Sequence, residues 1–336
     1  MTTTLPKNYT SRHAKMDDVQ AAVDLGNACS IELVGEPECD LHHFRTDWES
    51  DALDPGNDLR VVFAPDGKMV GYAGVWDESP HVQPHGWANV HPDYKGRGIG
   101  THLAQWVEQR ARQAIPKAPE GARVALGQSR FSTDTVGCVV LEQQGYQVVR
   151  HGFLMHIDLD EDSLPPEPVF PPGITIGSLD METQFKDLVQ ALDEMFQDHW
   201  GIVKRSPEEN SKSLVQWIKS VPDFDPALWF LAMDGDEIAG SSLCLLTAVE
   251  SPDMGYVENV GVIRRWRRQG VALGLLHYCF RELYSRGKRQ ARLGVDAQSL
   301  TGATRLYEKA GMRVHRQDVS YEKELRPGKE LRTESL

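Results

Sequence analysis

The chain has 336 residues, 40% hydrophobic and 25% charged, with a net charge of −13 at pH 7. That balance excludes a wholly disordered chain, and the length suits two domains of ordinary size. No apolar run approaches the ~20 residues of a membrane-spanning helix. The N-terminal MTTTLPKNYTSRH lacks the apolar core of a secretory signal. The five cysteines, Cys29, Cys39, Cys138, Cys244 and Cys279, include no CxxC pair. A cytoplasmic protein with free thiols is expected, with no zinc ribbon and no disulfide framework. An acidic chain repels nucleic acid unless bases cluster. Here they do: residues 264–316 hold 13 Lys and Arg against three acids, which suggests a local site for a polyanion.

In chain order, each half has a helical front, clearest in the second at Glu182–Phe196 and Pro207–Val221. Val61–Gly71 and Trp229–Gly240 then both read as strand, Asp-Gly hairpin turn, strand. Trp87–His91 and Val257–Val262 are strand-like, and each is followed by a basic, Gly-containing loop. Helical patterns follow at Thr101–Ala114 and Ala272–Ser285. Shorter helices end at Gly145 and Gly311, since Gly takes the left-handed conformation past a helix end at little cost. Strands at Phe153–Leu159 and Ser320–Leu325 close the two halves. Between the halves, Ser163–Gly173 holds five prolines in eleven residues, an extended spacer or surface crossing. The expected organisation is a first domain over 1–160, a linker over 161–173, a second domain over 174–327 and a polar tail over 328–336. The fold class is α/β (α+β): two tandem domains of one plan, each a mixed, mostly antiparallel sheet flanked by helices.

The loops Lys95-Gly96-Arg97-Gly98-Ile99-Gly100 and Arg267-Arg268-Gln269-Gly270-Val271-Ala272 each lie between a strand and a helix. A helix N-terminus offers unpaired N–H groups and the positive end of a dipole, and so binds phosphate. Small residues let a diphosphate approach, and Arg adds charge-assisted bonds. The pattern (Gln/Arg)-x-x-Gly-x-(Gly/Ala) resembles the acyl-CoA loop of the GNAT superfamily of N-acyltransferases. Arg267, Gly270 and Ala272 match it fully; Gly98 and Gly100 match with Lys95 in the first place. Asp296–Met312 resembles the family's second signature, with Ser299 at its usual Asn. The resemblance spans nearly the whole chain, and the tandem layout is similar to that of the mycothiol synthases, although no motif fixes that substrate.

The resemblance implies direct transfer of an acetyl group from acetyl-CoA to a neutral amine, without a metal. The strand before the loop is expected to splay from its neighbour. Val260, Gly261 and Val262 would pair with the pantetheine arm, and Arg267–Ala272 would hold the diphosphate. Ala88, Asn89, Val90 and the Lys95–Gly100 loop are the corresponding candidates in the first half. An alkyl amine has a pKa of ~10.4 and a thiol ~8.5, so both proton transfers gain from help. Tyr307 is the implied acid for the departing thiolate; Leu141 stands at its place in the first half. Glu258 is the candidate base, sharing a face with Val260 and Val262 by period two and raised in pKa by an apolar slot. Gly86 stands at its place in the first half. Chemistry is therefore expected in the C-terminal domain alone. Glu194–Gly201 is a candidate acceptor-facing segment, Cys244 and Cys279 are expected core thiols, and His42-His43 lacks further metal ligands. The expected acceptor is a small-molecule amine. A protein N-terminal or lysine acetyltransferase is the alternative enzyme, and an acyl-CoA-binding regulatory module the alternative of another class. The CoA phosphates account for the Arg cluster, so no nucleic-acid or membrane partner is expected, and the chain is expected to be a monomer or weak homodimer.

Overall fold

The computed structural model describes residues 4–221, 224–299 and 302–333. The chain divides into two compact units: unit 1 is Met1–His151 with Asp318–Leu331, and unit 2 is Gly152–Gln317 with Arg332–Leu336. Unit 1 contains β1 (Thr10–His13), α1 (Val19–Val34), α2 (Leu41–Trp48), α3 (Pro55–Asp58), β2 (Leu59–Phe63), β3 (Met69–Trp76), β4 (His85–Val90), α4 (Ile99–Ala111), β5 (Val124–Phe131), α5 (Thr135–Gln143) and the start of β6 (Gln147–Asp158). Unit 2 takes the rest of β6, then β7 (Ile174–Ser178), α6 (Phe185–Phe196), α7 (Pro207–Ser220), β8 (Trp229–Asp234), β9 (Glu237–Leu245), β10 (Met254–Val262), α8 (Val271–Ser285), β11 (Gln290–Asp296), α9 (Ala303–Lys309) and the start of β12 (Arg313–Arg326).

Both units follow the expected mixed plan. In unit 1 the order β1–β2–β3–β4–β5 is antiparallel apart from β4 beside β5. In unit 2 the order β6–β11–β10–β9–β8–β7 is antiparallel apart from β10 beside β11. The hairpins turn where the Asp-Gly pairs stand, with Gly67 and Gly235 at φ of 84° and 60°. α1 and α4 pack on β3 and β4, and α6 and α8 on β9 and β10. In unit 2 the fully buried Trp229 anchors the core, stacked on Trp217 at 5.9 Å. Truncating such a side chain costs about 3–5 kcal/mol.

The domain boundaries differ from the expectation. Residues Gly152–Asp158 of β6 pair with β11 of unit 2, while Asp318–Arg326 of β12 pairs with β5 of unit 1. Each half thus sends its closing strand to the sheet of the other unit. Local sequence marks a closing strand in each half, but strand pairing is non-local and the pattern does not name the partner. The proline run is not a free spacer: Leu164 and Phe170 pack on the unit 2 core, and Arg281 Nη1 donates to the Pro165 carbonyl at 2.9 Å. The expected tail is strapped too. Lys329 N–H donates to the Gly121 carbonyl and Thr333 N–H to that of Ile202, both at 2.8 Å. Among the described residues no helix is long and apolar enough to cross a membrane.

Candidate active site

β10 and β11 pair in parallel only where Met254–Tyr256 meets Gln290–Arg292. β10 runs on to Val262 and β11 to Asp296, so the strands part after Tyr256. The expected splay is present, and it leaves the β11-facing edge of β10 open to a strand-like ligand. On the other edge, the register with β9 slips between Val257↔Cys244 and Asn259↔Leu243, making Glu258 the extra residue of a bulge. Side-chain directions record the slip. A β-carbon on Gly255 would lie 2.6 Å from Leu283 of α8, whereas one on Gly261 would lie 2.8 Å from Met195 Sδ of α6. Residues six apart share a face in a regular strand; here they face opposite ways. Val262 stays on the α8 side, beside Leu275. Glu258 therefore does not share a face with Val260 and Val262. It falls in step with Tyr256 on the far side from α8, and it is exposed rather than enclosed by apolar groups.

Past β10 the chain makes one 3-10 turn, Arg264–Trp266, and enters the loop. Arg268 has φ of 64° and Gly270, the N-cap of α8, has φ of 95°. Unit 1 repeats this shape with Gly96 at 75° and Gly98 at 79° before α4. Alternating φ signs at a helix start turn successive N–H groups inward, an anion-binding nest. Neither helix has a side chain capping its first turn. Arg268 is exposed, and no carboxylate pairs with it among the described residues. Arg267 differs from expectation, because its guanidinium is already engaged. Nε donates to the Val262 carbonyl, Nη2 to that of Met195 and Nη1 to Asp198, each at 3.0 Å. Asp198 also accepts from Arg264 at 2.7 Å. The Arg264 hydrogen bond, with Arg267 behind it, holds the Asp198 carboxyl below its ordinary pKa against a partial desolvation. Arg267 is thus the clamp between loop, β10 and the end of α6. Sequence reasoning missed this because Asp198 lies in a remote segment.

Tyr307 on α9 belongs to the packed cluster that includes Val260, Val262 and Ala272. Burial pushes its hydroxyl up to about 12, and no described side chain hydrogen-bonds it. It is thus a neutral donor throughout the physiological range. Ser299 lies in the turn before α9, with its N–H on the Asp296 carbonyl at 3.0 Å. Leu300 and Thr301 of the same motif lie outside the described residues. Of Glu194–Gly201, Met195 and Phe196 abut Gly261, and His199 packs edge-on against Phe196 at 4.9 Å. The His199 pKa is lowered, first by lost hydration and then by Arg267. Sequence reasoning also missed Asn259, next to the bulge. Its Oδ1 is buried without a hydrogen-bond partner among the described residues. Cys244 and Cys279 are buried thiols, as expected.

The family model of the "Acetyltransferase (GNAT) family" matches residues 26–121 and 187–312, about two thirds of the chain. The chain belongs to the GNAT acetyltransferase family. It is an acyltransferase built from two tandem GNAT domains. Its sequence is 27% identical to a mycothiol acetyltransferase of Streptomyces scabiei, over 93% of this chain and 88% of that protein. Among solved structures it is similar to a GCN5-related N-acetyltransferase from Sphaerobacter thermophilus, at 35% identity and a TM-score of 0.82, covering 98% of this chain and 99% of that one. A tandem GNAT protein from the clavulanic acid biosynthesis pathway shares the fold, at 16% identity and a TM-score of 0.69, over 96% of this chain and 100% of that one.

The two GNAT domains are not equivalent. β4 pairs with β3 without a slip, so unit 1 has no bulge at Gly86. Trp87, packed on Tyr72 at 6.3 Å, takes the register place of Asn259. Leu141 is fully buried at the place of Tyr307. The unit 1 loop cations are engaged: Lys95 pairs with Glu32, and Arg97 donates to Tyr9 Oη at 3.0 Å and to the Asp93 carbonyl at 3.1 Å.

Proposed function

We propose that unit 2 transfers the acetyl group of acetyl-CoA to the primary amine of a small molecule, the amine attacking the thioester directly. One observation carries this reading: the bulged Glu258 and Tyr307 border a splayed slot and a nest in unit 2, whereas unit 1 has the splay and the nest without them. The similarity to proteins named mycothiol acetyltransferases supports a small-molecule acceptor.

Acetyl-CoA supplies an acyl group activated as a thioester. The residues present fit it: the Val260 backbone groups and the Val262 N–H, on the open edge, would take the amides of the arm, while Gly261 pairs with Ser241 and Arg267 holds the Val262 carbonyl. The N–H groups of the Gln269–Ala272 nest, with the Arg268 side chain, would take the diphosphate, and Ser299, in the turn before α9, would contact the cofactor from that side. Arg267 shapes this loop rather than touching phosphate. On the far face Glu258 takes the amine proton, directly or through a water. As the C–N bond forms and the C–S bond breaks, the Tyr307 hydroxyl protonates the sulfur. The tyrosine then regains its proton from solvent.

The test is a free-thiol assay of acetyl-CoA turnover against a panel of primary amines. Tyr307→Phe is expected to lower kcat by ~10²–10⁴ with the acetyl-CoA Kd unchanged. Turnover equal to wild type would remove Tyr307 from the mechanism. Because Tyr307 keeps its proton up to about 12, the kcat profile should show no descending limb from it below pH 10.

A further inference from the structure

Among the described residues β4 and β5 pair at His85↔Gly127 and then part, as β10 and β11 do after Tyr256↔Arg292. The space between them is occupied from within. Arg130 of β5 reaches across it, and its Nη1 donates to the Ala88 carbonyl at 2.7 Å. Asp134 stands behind at 3.9 Å, and the Arg130 side chain is only 12% exposed. The next carbonyl along the same edge, that of Val90, accepts from Cys29 Sγ at 3.2 Å. Carbonyls on this edge are what an incoming amide N–H would need.

Unit 2 also has a donor on the carbonyl equivalent to that of Val90, since Arg267 Nε donates to Val262 at 3.0 Å, but it lacks a counterpart of Arg130. Counted from the last cross-strand pair, Arg130 is three residues past Gly127, and the residue three past Arg292 is Val295. Valine has no side-chain donor. Among the described residues no side chain donates to the Val260 carbonyl, which corresponds to that of Ala88.

We propose that Arg130 is a built-in plug of the unit 1 slot, a guanidinium standing where a pantetheine amide would donate, so that unit 1 binds no acyl-CoA and the chain takes one cofactor, in unit 2. This rests on the reading of the unit 2 slot as the acetyl-CoA site. The physical case is one of competition. The Arg130 donor is tethered beside its acceptor and makes a charge-assisted bond, whereas a free ligand must displace it and leave a guanidinium short of partners. The engaged Lys95 and Arg97 also weaken the pull of the unit 1 nest on phosphate.

The experiment is calorimetric titration of the full chain with acetyl-CoA. The wild type should bind one molecule, lost in Gly270→Glu and kept in Gly98→Glu. Arg130→Val, which copies unit 2, should raise the stoichiometry to two, the second site vanishing when Gly98→Glu is added. A wild type that binds two molecules, with a residual site in Gly270→Glu abolished by Gly98→Glu, would overturn the plug. So would a folded Arg130→Val that still binds one. Should Arg130→Val fail to fold, Arg130→Met and Arg130→Gln are titrated in its place, and a single site in each folded variant would overturn the plug. No binding by the wild type would overturn the reading of unit 2 as the cofactor site, and the plug with it.

Discussion

Arg267 and Arg268 are neighbours in one motif with different duties. Arg267 spends its donors on Val262, Met195 and Asp198, so its removal should act through the loop's shape. Arg268 is exposed and sits at a φ of 64°, where a non-glycine residue costs about 1–2 kcal/mol and where unit 1 has Gly96. We therefore predict that Arg268→Gly leaves thermal stability unchanged or raises it by up to ~1 kcal/mol, while acetyl-CoA affinity falls and its salt dependence flattens. Unchanged affinity in calorimetry would mean that the strained arginine serves something other than phosphate. Arg267→Ala should instead lower stability together with affinity, because it leaves Asp198 with Arg264 alone. Asp198 also sets a pH dependence. Its pKa in the folded chain is depressed, so the clamp contributes fully above the unfolded value of ~3.9 and is lost as pH falls through the folded value. Asp198→Asn should reproduce at neutral pH the looser cofactor binding of the acid state, read as a rise in Kd. The motif letters were visible in the sequence; the division of labour was not, because it depends on a carboxylate brought in from the end of α6.

At the scale of elements, the bulge at Glu258 decides which side chains meet which helix. Hairpins and helix starts were legible because an Asp-Gly turn or a glycine N-cap acts within a few residues. The bulge was not: the run Tyr256–Val262 alternates plausibly in either register, and only pairing with β9 shows the extra residue. Glu258→Ala keeps the residue count, so the fold should survive and kcat should fall. Deleting Glu258 should instead turn either Tyr256 and Val257 or Val260 and Val262 to the wrong face and abolish cooperative melting, since a one-residue slip reverses every side chain beyond it. Thermal denaturation of the two variants separates a lost carboxylate from a lost register. A deletion variant that melts like wild type would show that the bulge does not set the faces. Gly261→Val tests the same geometry from the other side. Its β-carbon would crowd Met195 and Phe196, at an expected cost of ~1–3 kcal/mol.

At the scale of the whole molecule, the closing strands run to each other's units. A fragment ending at residue 160 lacks Asp318–Arg326 and leaves the β12 side of β5 bare, an edge that invites aggregation. We predict that this fragment aggregates or melts without cooperativity, and that fusing residues 317–331 to it restores a cooperative monomer. Size exclusion and circular dichroism would decide; a fragment already cooperative and monomeric would show that the borrowed strand is dispensable. The sequence by itself determined the repeated plan, the hairpins, the two nests, and the contrast of Tyr307 with Leu141. Each of these rests on residue type and short-range spacing, which act through local backbone preferences. Only the tertiary structure decided where each closing strand pairs, which way Glu258 points, what Arg267 holds and what occupies the slot of unit 1. Those outcomes depend on contacts between residues tens to hundreds of positions apart, and no local pattern carries that information.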